Sequence, residues 1–113
     1  LEGVNRYKYV KQTEITPAIK MNVDGVYFDS MEWNWHHDLN YRGEHFKYTD
    51  YPLSFSKNVV RPAIWNFTSE FEFMKKIADE MHSQGKLVMG NGYGWNPFAA
   101  ANLDLFGAEL SWY

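Results

Sequence analysis

The chain contains no cysteine, which excludes a disulfide framework, a thiolate metal site and cysteine catalysis. That absence does not choose a compartment. Charge of one sign is also lacking: the formal net charge is −3, and no Lys/Arg cluster forms a stripe for phosphate, so nucleic acid is not an expected partner. No apolar run approaches the ~18 residues of a membrane span, so no membrane partner is expected. No Gly-x-Ser-x-Gly elbow is present, which removes serine hydrolase chemistry of that kind. Gly90-Asn91-Gly92-Tyr93-Gly94 is glycine-rich but lacks the Lys-Ser/Thr that a phosphate loop requires.

What is present is an ordinary globular balance, 45% hydrophobic and 22% charged, which argues against disorder. The 113 residues suffice for one small domain with a modest core. Aromatic residues reach 19%, more than one core of this size buries easily. Many stand in polar, loop-like sequence: Trp33, Trp35, Tyr41, Tyr48, Tyr51, Tyr93 and Trp95. Such residues anchor long loops, or else offer flat faces on which sugars and bases stack. The acidic balance favours sugar.

The strongest local signal is Val23-Asp24-Gly25-Val26-Tyr27-Phe28-Asp29-Ser30-Met31-Glu32. A β-branched and aromatic run ends in one carboxylate, and a second follows three residues later. Parallel strands are covered on both faces and read as near-continuous apolar runs. In barrels of alternating strands and helices the chemistry sits where such strands end. A strand over 25–29 is therefore expected to deliver Asp29 into a pocket.

Around it, Val4 to Gln12 carries no clear period, and Thr16-Pro17 reads as a cap-and-proline helix start leading to about Asn22. Ser30 to Asn66 keeps neither a period of 2 nor of 3.6, and is read as an active-site loop with a short helical turn inside it. A helix follows, capped at Thr68 or Ser69, with Ser69 and Glu72 at capping-box spacing. Its apolar stripe is Phe71, Met74, Ile77, Ala78 and Met81, and Gly85 ends it in a left-handed cap. Lys86 to Gly90 is a second strand, Pro97 to about Asn102 a short helix, and Leu103 to Phe106 begins a third strand that ends near Glu109. This alternation predicts an α/β fold of parallel βα units. Three units do not close a barrel of about 250 residues. Residues 1–113 are thus read as a partial (β/α)8-barrel catalytic domain, with the rest of the barrel from a longer chain.

Three strand ends on one rim bring Asp29, Glu32, Asn91 and Glu109 together. Glycoside hydrolysis uses two carboxyl groups, about 5–5.5 Å apart for retention and about 6.5–9.5 Å for inversion. Asp29 with Glu109, from different strands, suits such a span better than Asp29 with Glu32, which share a strand end. Plainer roles stand beside these: Asp29 as a turn cap, Glu109 as an ion-pair partner, Glu32 as a solvated loop residue, Asn91 as a turn former between glycines. His36, His37, Asp38 and His45 share one loop with Glu32, a set chemically suited to zinc. No His-Glu-x-x-His spacing is present and adjacent histidines point apart, so no metal is assigned; hydrogen bonding to hydroxyls or loop anchoring is the expected use. His82 is read as solvated, and Arg42 and Arg61 as partners of loop carboxylates such as Glu44 or Asp50, or as a grip on an anionic substrate.

Asp24-Gly25-Val26-Tyr27-Phe28-Asp29-Ser30, with His82-Ser83-Gln84-Gly85-Lys86 and Leu87 to Gly92, resembles (β/α)8-barrel glycoside hydrolases, closest to the α-galactosidase-like and endo-α-N-acetylgalactosaminidase-like groups. The pattern spans about residues 20 to 113, and only the stretch 24–30 is motif-like. The resemblance implies that Asp29, closing a DG-hydrophobic-x-x-D strand, is the nucleophile. A later strand supplies the acid/base in such enzymes, which points to Glu109, although several relatives carry Asp in that role. Glu32, His36, His37 and Asn91 would then hold substrate hydroxyls, and Trp33, Trp35 and Trp95 would form stacking walls. No cofactor is required, and the partner is a carbohydrate substrate. The alternatives are a non-catalytic carbohydrate-binding domain built on the same aromatics, and a metal-dependent hydrolase on His36, His37 and His45.

Overall fold

The computed structural model describes residues 5–29, 39–58, 60–92 and 97–107. Its first element is a helical run in three parts: α1 (Arg6–Val10), a π-helical turn (Lys11–Ile15) and α2 (Thr16–Lys20). Asn5 caps it, its side chain accepting from the Lys8 N–H at 2.9 Å. Thr16-Pro17 therefore lies inside the run and does not start it. The reason is the π turn. Thr16 N–H reaches Lys11 O, one residue further back than an α-helical bond, immediately before a proline that has no N–H and whose ring crowds a regular turn. The inserted residue also sets the buried positions Val10, Ile15 and Ala18, spaced five and then three. Asn22 ends the run at φ 55°, with Asn22 N–H on Ile19 O and Val23 N–H on Ala18 O, a Schellman closure.

Strand β1 (Gly25–Phe28) follows, as the sequence predicts. The stretch expected to be an irregular loop carries more structure than its composition suggests. Its described part holds β2 (Leu39–Asn40), a 3-10 helix (Gly43–Tyr48), β3 (Ser54–Phe55) and β4 (Pro62–Trp65). β4 pairs antiparallel with β2 on one side and β3 on the other. Two-residue strands are too short to set up a visible alternation, which is why they escape the sequence pattern.

β4 runs directly into α3 (Asn66–Ser83), so the helix begins before Thr68. Thr68 donates instead to Trp65 O at 2.7 Å, and Glu72 accepts the Asp50 N–H at 2.9 Å rather than closing a capping box. Met74, Ile77, Ala78 and Met81 are buried as expected, joined by Phe67, Glu70 and Phe73. Phe71, expected on that stripe, is half-buried and meets Tyr51 and Phe98 edge-on. Gly85 at φ 67° closes the helix with Lys86 N–H on Met81 O, the left-handed cap predicted. β5 (Leu87–Asn91), α4 (Pro97–Ala100) and β6 (Leu105–Gly107) complete the order.

β1, β5 and β6 form one parallel sheet in that spatial order. The protein is therefore mixed α/β with a parallel three-stranded sheet. One sheet face carries Val26, Phe28 and Val88 into the core with Val10, Ile15, Phe73, Met74, Ile77 and Met81. Phe28 meets Phe73 edge-on at 6.0 Å. The α1–α2 run is tied to α3 by Lys11 and Glu80, 2.6 Å apart. His82 is not merely solvated: its Nε2 lies 2.8 Å from Asp104 Oδ2, and the same oxygen accepts the Val88 N–H at 2.7 Å, joining α3, β5 and the start of β6. Arg61 lies over the Tyr41 ring at 5.7 Å, a cation–π contact in place of the expected ion pair. No described helix is long and apolar enough to cross a membrane.

Candidate functional site

The other face of the parallel sheet is fixed by strand periodicity and register. Gly25, Tyr27 and then Asp29 alternate with the core-facing Val26 and Phe28, so they share the opposite face. Tyr27 pairs with Met89, Met89 with Leu105, and Asn91 with Gly107. Tyr27, Leu87 and Leu105 are about half exposed there. This apolar face has no described helix over it, although parallel sheets ordinarily cover both faces.

Asp29 and Asn91 stand at its C-terminal edge. Asn91 Nδ2 donates to Asp29 Oδ1 at 3.0 Å, and the Tyr27 hydroxyl donates to the same oxygen at 3.1 Å. Asn91 is only 5% exposed, whereas Asp29 is open to solvent. Gly107 lies beside this pair, and a Cβ there would meet Asn91 Oδ1 at 3.5 Å and Met89 Cε at 3.4 Å, ordinary contact distances. Two neutral donors aimed at one carboxylate oxygen suit an ionised group held in one orientation. Such a group can act as a nucleophile, a base or an acceptor for a ligand hydroxyl.

The site residues predicted from sequence divide cleanly. Asp29 and Asn91 lie together at adjacent strand ends. Glu32, Trp33, Trp35, His36, His37, Trp95 and Glu109 lie outside the described residues. Among the described residues no three His, Asp or Glu side chains gather as a metal site, and His45 Nδ1 is engaged with Asn40 Nδ2 at 2.9 Å. Of the loop aromatics, Tyr51 takes the anchoring role. It packs on Phe71 in a cluster that runs through Phe98 to Phe67 and on to Trp65, which stacks on Phe67 at 4.7 Å.

Two residues escaped the sequence reading. Tyr27 precedes Asp29 by two, the spacing that puts both on one strand face, and that signal was legible. Glu70 is 6% exposed and continues the stripe through Phe67, Met74 and Ile77, so its spacing marks it as buried. It lines a cleft of about 370 Å³ between α1 and the start of α3, with Arg6, Tyr48, Ser69 and Lys76. Neither Asp29 nor Asn91 is among the described residues that line that cleft. Comparison with protein-family models, with curated proteins and with solved structures yields no match.

Proposed function

We propose that this chain is the catalytic-site segment of a (β/α)8-barrel glycoside hydrolase, with Asp29 as its nucleophile. The observation that carries the reading is the clamped carboxylate at the C-terminal edge of a parallel sheet, where barrel enzymes hold their reactive groups. The half-exposed face of Tyr27, Leu87 and Leu105 supports the barrel, because barrel strands turn such side chains into the packed interior. The spatial order β1-β5-β6 follows the chain order of these parallel strands, as successive barrel strands do.

In this mechanism the Asp29 carboxylate attacks the anomeric carbon. The bond from that carbon to the leaving oxygen breaks, and Glu109 supplies the proton that the leaving oxygen takes up. Water then attacks the glycosyl ester, returns a proton to Glu109 and frees Asp29. Glu32, His36 and His37 hold hydroxyls of the bound sugar, and Trp33, Trp35 and Trp95 stack on its C–H faces. No cofactor takes part.

Asp29→Asn in the full-length protein tests this directly. Activity on a panel of 4-nitrophenyl glycosides, led by the α-galactoside and the α-N-acetylgalactosaminide, is expected to fall by about 10³-fold or more in kcat. Near-normal turnover by that variant would remove Asp29 from the mechanism. Saturable sugar binding without hydrolysis in the unaltered protein would instead make this a carbohydrate-binding domain.

A further inference from the structure

We infer that Tyr27 and Asn91 are positioning residues that clamp the Asp29 carboxylate for attack, an inference that rests on the glycoside hydrolase reading. From sequence, Asn91 is expected to hold substrate hydroxyls and Tyr27 has no assigned role. The geometry assigns both otherwise. Asn91 is 5% exposed, and its amide nitrogen is committed to Asp29 Oδ1 at 3.0 Å. The Tyr27 hydroxyl reaches the same oxygen at 3.1 Å from two residues earlier on the strand. The two donors arrive from different strands, β1 and β5, so together they fix the carboxylate against rotation as well as tilt.

An Asp side chain closing a strand is otherwise free to turn about χ1 and χ2. Attack on an anomeric carbon needs the reacting atoms about 3–3.5 Å apart and aligned, and a rotating carboxylate spends little time so placed. The clamp therefore acts on the chemical step and leaves ground-state binding of the sugar alone.

The test uses Tyr27→Phe and Asn91→Ala in the full-length protein, with Asp29→Asn measured in parallel on the same 4-nitrophenyl glycoside. Tyr27→Phe keeps the ring and removes only the donor. Each clamp variant is expected to lose about 10- to 100-fold in kcat with KM within about twofold, since a lost donor to a charged group has that effect. A variant that had merely lost folded protein would lower kcat only in proportion to its folded fraction, which circular dichroism of the same sample reads. Should Asn91→Ala fail to fold, Tyr27→Phe decides alone. An inactive Asp29→Asn beside a Tyr27→Phe of unaltered kcat overturns the clamp and spares the nucleophile. An active Asp29→Asn, or no hydrolysis of any glycoside by the unaltered protein, overturns both.

Discussion

Replacing Gly25 with alanine puts a methyl group where the backbone of β5 already lies. A Cβ built on Gly25 would stand 2.5 Å from Leu87 O and 3.0 Å from Leu87 C and Cβ. Carbon and carbonyl oxygen approach comfortably to about 3.3 Å, so the strands must part by about 0.8 Å at this register. The neighbouring bond from Leu87 N–H to Asp24 O, now 2.9 Å, would stretch past hydrogen-bonding range. Overpacking costs about 1–3 kcal/mol and the lost bond about 0.5–1.5 kcal/mol. Reduced freedom of the unfolded chain returns about 0.4–1 kcal/mol. The net destabilisation is about 0.5–4 kcal/mol, or roughly 2–17 °C in Tm for a unit of 113 residues. Gly43→Ala is the control: nothing lies within 4 Å of its Cβ, and Tm should hold or rise slightly. Thermal unfolding followed by circular dichroism reads both. A Gly25→Ala protein as stable as its parent would refute the β1–β5 pairing on which the Asp29–Asn91 juxtaposition depends.

Two further outcomes follow from the core and from the Asp104 junction. Ile77 is fully buried beneath the sheet, and Ile77→Ala should destabilise by about 2–5 kcal/mol in chemical denaturation; a loss under about 1 kcal/mol would mean that α3 does not pack there. The Val88 N–H and then His82 hold the Asp104 carboxyl below the usual carboxylate range. Because the folded form then releases its proton more readily than the unfolded chain, this contribution is complete above about pH 4 and fades as pH falls through the lower folded value. Asp104→Asn should flatten the acid side of the stability profile, and an unchanged acid slope would show that the junction does not form.

The legible parts of the fold were those with a long period or a strong stop. The α3 stripe, the Gly85 cap and the β1 run ending at Asp29 all follow from spacing that single residues cannot obscure. The helical run from Arg6 was hidden because a π turn breaks the period of 3.6 and Pro17 imitates a start. The second sheet was hidden because β2 and β3 are two residues each and lean on β4 rather than on their own pattern. Of the site, strand ends gave Asp29 and Asn91 as neighbours. Their hydrogen bond was not legible, because it depends on the register between β1 and β5. The spacing of Tyr27 and Asp29 places both on one strand face, whereas the bond between them depends on the direction of the Tyr27 hydroxyl.

The proposed mechanism requires Asp29 to form a covalent bond to sugar during turnover. A 2-deoxy-2-fluoro glycosyl fluoride of the hydrolysed sugar, incubated with the full-length protein and followed by peptide mass spectrometry, measures that bond. One glycosyl adduct per protein is expected, on the peptide containing Asp29 and absent from Asp29→Asn. An adduct on a different carboxylate, with Asp29 unmodified, would contradict it.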